Sequence, residues 1–261
     1  MCRRTRRPTS GKVPIIFGTY NIRNGSNGGL EAALRGMSQA NMDLGILQEI
    51  KLTDGIYTRG LAGYSVVATY APSQHRGGVA IFYRSEPHFA VEAVEKFGPN
   101  VIGFHLVTGA RRWYIAGVYL APDNNETMER VTEAIRSWPR RAELLVAGDF
   151  NGDLAKPEGD RRAEAIATLL ATEGLEDMAR HFLPREIRWC RDRRTWGMLQ
   201  KGREVRSRTD YILGTDSRLF RNVAVRDPRH NSDHYMVLGC LPSAPPRRNT
   251  SDTWAGGSSS R

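Results

Sequence analysis

The chain has 261 residues, 40% of them apolar, and its 38 lysines and arginines against 28 acids leave a formal net charge of +10. That length and apolar content support one sizeable folded domain and exclude wholesale disorder. Cys2, Cys190 and Cys240 form no C-x-x-C pair and no apolar run approaches a membrane span, so a disulfide framework, a structural zinc site and a membrane protein are not expected; the reading is reduced thiols in an intracellular protein.

Residues 1–12 carry five bases and no acid and read as a basic tail, a candidate nuclear-localisation signal or phosphate-binding arm. A single domain is expected over residues 13–241. Its first strand, Ile15–Tyr20, is followed by Gly25–Gly29, which lacks both G-x-G-x-x-G and a GK[ST] ending and reads as a turn into a helix over Gly29–Ala40. Short β-rich runs then predict strands at Leu44–Leu47, Tyr64–Thr69, Gly78–Tyr83, Val101–Leu106 and Trp113–Tyr119. Met128, Val131 and Ile135 recur at helical spacing within Asn125–Ser137, and Pro139 stops that helix. A strand at Leu144–Ala147, a helix at Arg161–Glu173, a hairpin from Thr195-Trp196 around a Lys201-Gly202 turn, and strands at Thr209–Leu213 and Met236–Cys240 complete the domain. Residues 242–261, rich in Pro, Ser and Gly, read as a second tail. Many strands with few helices predict two sheets packed face to face with helices outside.

The charge is unevenly placed. Residues 180–230 hold fourteen bases and six acids, the two tails are also basic, and the rest of the chain is mildly acidic. A focused basic stretch points to a polyanionic partner, nucleic acid ahead of an acidic membrane surface.

Polar residues stand where apolar strands end: Asn21, Glu49, Asp149 with Asn151, Asp210, and Asp233-His234. Each alone reads as a turn or a cap. Five such features together point to one pocket on the rim where strand ends converge. Thr19-Tyr20-Asn21, Leu47-Gln48-Glu49-Ile50-Lys51, Gly117-Val118-Tyr119-Leu120-Ala121-Pro122, Gly148-Asp149-Phe150-Asn151, Arg208-Thr209-Asp210-Tyr211-Ile212-Leu213 and Ser232-Asp233-His234 resemble, in order, the signature of the endonuclease/exonuclease/phosphatase superfamily. The resemblance implies a four-layered α/β sandwich, two mixed sheets flanked by helices.

Phosphodiester hydrolysis needs an activated water, neutralised phosphate oxygens and a stabilised leaving oxygen. The resemblance distributes these tasks. Glu49, with Asn21 and Asp233, would hold Mg²⁺ or Mn²⁺, hard cations that need few carboxylates. Asp149 would orient or deprotonate the attacking water, and Asn151 would hold that water or donate to the phosphate. Asp210 would fix the tautomer of His234 and favour its protonated ring, and Tyr119 would stand near the leaving group. That tyrosine, where deoxyribonuclease I has a histidine, together with Thr195 and the following hairpin, resembles the endonuclease domains of non-LTR retrotransposons. Thr195, Arg203, Arg206, Arg208, Ser232 and Lys51 are the expected substrate contacts, the arginines on phosphates. The sequence therefore predicts a nuclear, Mg²⁺-dependent endonuclease that nicks DNA to leave a 3′-hydroxyl, derived from a retrotransposon and partnered by a reverse transcriptase encoded downstream or separately. Abasic-site repair, phosphoinositide or other phosphoester hydrolysis, and a catalytically dead nucleic-acid-binding relic are the alternatives.

Overall fold

The computed structural model describes residues 13–54, 56–109, 111–121, 126–139, 142–156, 160–182, 195–200, 203–216, 218, 220–227 and 232–242, with residues 198–200 and 203–206 described by their backbone alone. The tail expected at 1–12, and all but Pro242 of the one expected at 242–261, lie outside the described residues.

In chain order the elements are β1 (Ile15–Asn21), α1 (Gly29–Gln39), β2 (Leu44–Gln48), β3 (Tyr57–Leu61), β4 (Tyr64–Ala68), β5 (Val79–Arg84), β6 (Ala90–Lys96), β7 (Val101–Thr108), β8 (Arg111–Tyr119), α2 (Glu126–Arg136), β9 (Glu143–Asp149), α3 (Arg161–Glu173), β10 (Glu176–Asp177), α4 (Met178–Phe182), β11 (Trp196–Gln200), β12 (Arg203–Ser207), β13 (Asp210–Gly214), β14 (Val223–Arg226) and β15 (Met236–Leu241). One sheet has the order β14-β15-β1-β2-β5-β4-β3 and the other β10-β13-β9-β8-β7-β6, while β11 and β12 pair apart from both.

Alternation along the central strands builds four layers. In β9, Leu145 and Ala147 face the opposite sheet, in one cluster with Phe17 and Ile46 from that sheet and with Phe104, Trp113 and Ile212 from their own. Leu144 and Val146 face outward and pack under Val131 and Ile135 of α2 and Ile166 and Leu169 of α3. On the far side, Leu30, Leu34 and Met37 of α1 cover Tyr20, Leu47 and Phe82. The period of two in the strands thus feeds one central core and two outer ones, and the expected four-layered sandwich is what forms.

Two connections place the functional ends. β1-α1-β2 and β8-α2-β9 are crossovers between parallel neighbours. Parallel pairing sets carboxyl ends side by side: Asn21 lies across from Gln48, and Tyr119 across from Asp149. β13 runs antiparallel to β9 and so begins where β9 ends, with Asp210 opposite Asp149. Gly148 permits the close β8–β9 approach just before Asp149, because a Cβ there would collide with the Val118 carbonyl.

The α3 start is fixed by its own sequence. Asp160 accepts from the amides of Arg162 (2.9 Å) and Ala163 (3.3 Å), and Gly174 closes the helix with a left-handed φ of 63°. Asp160→Ala is expected to cost about 1 kcal/mol, read as a lower urea midpoint with an unchanged slope; no change would mean that the cap adds nothing. One expectation is corrected. Cys240 is disulfide-bonded rather than a reduced thiol, and both other cysteines lie outside the described residues. Among the described residues no helix is long and apolar enough to cross a membrane.

Candidate active site

Asn21, the last residue of β1, donates one amide nitrogen to both sheets, to Glu49 Oε1 at 2.9 Å and to Asp149 Oδ2 at 2.8 Å. Its Oδ1 accepts from the Arg23 amide at 2.9 Å. Asn21 therefore turns its amide N–H groups toward the two carboxylates, at the position from which it is expected to join Glu49 in holding a metal. It holds two acids together. Glu49 and Lys51 both adopt a left-handed φ, 51° and 52°, a conformation that costs a residue with a Cβ about 1 kcal/mol. The turn aims both side chains inward, and Lys51 Nζ meets Glu49 Oε2 at 2.7 Å.

Asp149 is buried and accepts from the Asn151 amide at 2.9 Å. The Asn151 side chain donates to the Leu120 carbonyl at 3.0 Å and approaches Asp149 Oδ2 at 3.4 Å. Tyr119 faces Glu49, Asp149 and Asn151; burial first, then the Glu49 and Asp149 charges, push its hydroxyl far above the usual phenol range and keep it neutral.

His234 Nδ1 lies 2.9 Å from Asp210 Oδ2, which also accepts from Thr209 Oγ1 at 3.1 Å. His234 Nε2 stands 3.9 Å from Asp149 Oδ2 and 3.9 Å from Asp233 Oδ1. Burial disfavours the imidazolium, but Asp210, by charge and hydrogen bond, with Asp149 and Asp233 behind it, outweighs burial and pushes His234 up to about 9. Burial and the Asp210 charge push Asp149 up to about 7, against the opposing pull of His234, Asn21 and Asn151. Asp149, Asp210 and His234 offer ligand atoms within 4.8 Å of one another, a group able to hold a metal ion.

Other expected contacts are placed differently. Thr195 is fully buried and its Oγ1 accepts from the amides of Thr209 and Asp210, both at 2.9 Å, leaving no surface for a phosphate. The Arg208 guanidinium makes a bidentate pair with Asp177 (2.6 and 2.7 Å) and lies over the Tyr211 ring, so it is not a free phosphate contact. Ser232 Oγ donates to the Asn21 carbonyl at 2.7 Å and accepts from the His234 amide at 3.1 Å, bracing the loop from within. Asp233 takes the Trp196 indole N–H on Oδ2 at 3.0 Å and faces Arg23 across 3.4 Å. The side chains of Arg203 and Arg206 lie outside the described residues.

A model of the Endonuclease/Exonuclease/phosphatase family matches residues 18–234. The chain belongs to that family. Members of the Endonuclease/Exonuclease/phosphatase family are hydrolases, generally phosphodiesterases and nucleases. Among solved structures, the endonuclease domain of TRAS1, a telomere-specific non-LTR retrotransposon, matches with a TM-score of 0.66 at 18% identity, over 87% of this chain and 98% of that one. An AP endonuclease from Archaeoglobus fulgidus matches with a TM-score of 0.65 at 18% identity, over 87% and 99% of the two chains. The catalytic domain of Xenopus laevis APE2 matches with a TM-score of 0.60 at 18% identity, over 89% and 94%. At these identities the likeness is one of fold. No curated protein matches the chain.

Within this family member, Arg23 and Trp196 are site neighbours that sequence reasoning missed. Only the position of Arg23, two residues beyond a strand-end asparagine, hinted at it. The raised His234 pKa also makes a prediction for the metal-free protein. Its folded value near 9 against 6.5 unfolded means that its stabilisation is complete below about pH 6.5 and is lost as pH rises through about 9. The shift corresponds to about 3 kcal/mol. Asp149, raised likewise, adds a loss of the same sign between about pH 4 and its value near 7. In EDTA the urea midpoint should fall from pH 6.5 to 9.5 for the wild type and far less for His234→Gln; parallel curves would refute the linkage.

Proposed function

We propose that this protein is a divalent-metal-dependent endonuclease that hydrolyses DNA phosphodiesters, leaving a 3′-hydroxyl and a 5′-phosphate. The observation that carries this reading is the meeting, at one set of strand ends, of a charged His234–Asp210 pair with Asp149 at 3.9 Å and with the Glu49 carboxylate one amide away. Oxygen donors from Glu49 and Asp149 converge on the Asn21 amide, a donor set that fits a hard cation such as Mg²⁺ or Mn²⁺. Glu49 would hold that cation with Asp149 beside it. When bound, the cation would supply Lewis-acid polarisation of a phosphate oxygen.

The remaining steps belong to the chain's own groups. Asp149, whose carboxyl pKa is held above the usual range by burial and the Asp210 charge in the metal-free protein, takes a proton from the attacking water while Asn151 holds its carboxylate in place. The His234 imidazolium, kept charged by Asp210, opposes the negative charge that grows on the nonbridging oxygens. The water oxygen bonds to phosphorus as the bond to the 3′ oxygen breaks. The Tyr119 phenol, kept neutral by burial and the Glu49 and Asp149 charges, would donate toward the leaving oxygen. Lys51 and the basic stretch at 180–230 favour a polyanion, and among polyanions the hairpin β11–β12 inside that stretch supports DNA. We assign the protein a retrotransposon origin, a reverse transcriptase partner and a nuclear site of action on the sequence resemblance.

Incubating the protein with supercoiled plasmid and Mg²⁺ should produce nicked circles, and EDTA should abolish them. Intact supercoils across divalent metals would reject the proposal. A marked preference for a duplex bearing one abasic analogue would transfer the reading to repair, and phosphate release from inositol phospholipids without nicking would transfer it to phosphoester hydrolysis. DNA binding without turnover under any metal would identify a dead relic.

A further inference from the structure

The hairpin β11–β12 belongs to neither sheet, yet its root is bonded directly to the strand ends that carry the chemistry. The Thr195 carbonyl accepts the Tyr235 amide at 2.7 Å, and the Thr195 amide donates to the Ser207 carbonyl at 3.1 Å. The Thr195 hydroxyl oxygen accepts two buried amides, of Thr209 and of Asp210, both at 2.9 Å. The second belongs to the residue whose carboxylate holds His234. One position on, Trp196 forms an antiparallel bridge with His234, its indole N–H donates to Asp233 Oδ2 at 3.0 Å, and the Gly197 amide donates to the Asp233 carbonyl at 3.0 Å. Three consecutive residues thus clamp β13 at its start and the segment 232–235 from the same side.

We infer that Thr195 and Trp196 are positioning residues through which the hairpin root sets the geometry of the acid–histidine pair. Thr195 fixes the backbone of Asp210 so that its carboxylate meets His234 Nδ1, and Trp196 fixes Asp233 beside Nε2. The consequence for catalysis rests on the phosphodiesterase reading above; the positioning itself does not. A buried hydroxyl that satisfies two amides cannot be removed without those amides seeking other partners, and the nearest means is a shift of the Asp210 backbone. Displacement of a reacting group by about 1 Å costs on the order of 100-fold in rate. Because hairpin and histidine share this root, whatever grips the hairpin bears on the site as well as on affinity.

The test uses the full chain and three variants: Thr195→Val, which keeps the shape and loses the acceptor, Thr195→Ser, which keeps the hydroxyl, and Trp196→Phe. The first readout needs no activity. The His234 Nδ1–H proton resonance, identified by its loss in His234→Gln, should move or vanish in Thr195→Val and persist in Thr195→Ser; an unmoved resonance in Thr195→Val overturns the inference. The second is plasmid nicking under Mg²⁺. Thr195→Val should lower kcat about 100-fold with KM within about two-fold, and Thr195→Ser should restore most of it. A raised KM with unaltered kcat would make Thr195 a substrate contact, and a lowered melting temperature with unaltered kcat would make it merely structural; either overturns the inference. If Thr195→Val does not fold, Trp196→Phe is judged by the same resonance and the same split. Absence of nicking by the wild type would reject the phosphodiesterase reading and leave the resonance to decide the positioning.

Discussion

His234→Ala is expected to lower plasmid nicking by about 10²–10⁴-fold, the usual worth of a positioned acid–base or charge-donating side chain. Asp149→Asn should fall in the same range. The two groups stand 3.9 Å apart and shift each other's protonation, so they act as a unit, and the double variant should be little worse than the worse single one. Neither side chain is part of the inter-sheet apolar core, so both variants should keep the fold even though loss of the His234–Asp210 pair lowers stability. The measurements are single-turnover nicking rates and melting temperatures taken side by side. Rates falling only in proportion to folded protein would refute a chemical role, and full additivity would refute the coupling.

Arg208→Ala is expected to cost about 3 kcal/mol of stability, the lower end of the range for removing one partner of a buried ion pair, because this pair is only partly buried. Asp177 would keep its charge among buried neighbours and lose both guanidinium bonds, of 2.6 and 2.7 Å, and the Tyr211 ring would lose the cation stacked at 4.6 Å. For a domain of this size that is a melting temperature lower by about 10 °C. Asp177→Asn should destabilise comparably, and the double variant less than the sum, as a thermodynamic cycle would read. The same Arg208→Ala protein should show an unchanged salt slope in DNA binding, since the guanidinium faces inward. A slope lower by about one unit would return Arg208 to the phosphate-contacting role.

How much of the fold was legible in the sequence follows sheet position. The nine strands expected from β-rich runs are the nine interior strands. β3, β6, β10 and β14, none of them expected, are the four sheet edges. An interior strand is covered on both sides and both faces, so apolar residues fill it. An edge strand such as Ala90–Lys96 is half exposed and carries Glu92, Glu95 and Lys96, which discourage further pairing and erase the hydrophobic pattern. The five-residue helix α4 is too short to show a period.

At the site, residue types and order along the chain already marked Glu49, Asp149, Asn151, Asp210 and His234 as polar positions at strand ends, because a local run of apolar residues ending in a polar one is visible in one dimension. Which of these meet is not visible there. Strand pairing decided that Asp149 lies opposite both Tyr119 and Asp210, and the packing of the two sheets brought Asn21 within 2.8 Å of an acid 128 residues away. Direction was equally out of reach. A threonine and an arginine in a basic stretch read as phosphate contacts, yet Thr195 is turned inward to two amides and Arg208 to Asp177, since a buried donor or carboxylate must find a partner and the fold put these nearest. By itself, then, the sequence determined the layers, the family signature and the inventory of reacting groups, all set by local pattern. Tertiary structure alone decided which groups share a proton, which are spent on holding the backbone, and that the hairpin root reaches the histidine, because those depend on contacts between residues far apart in the chain.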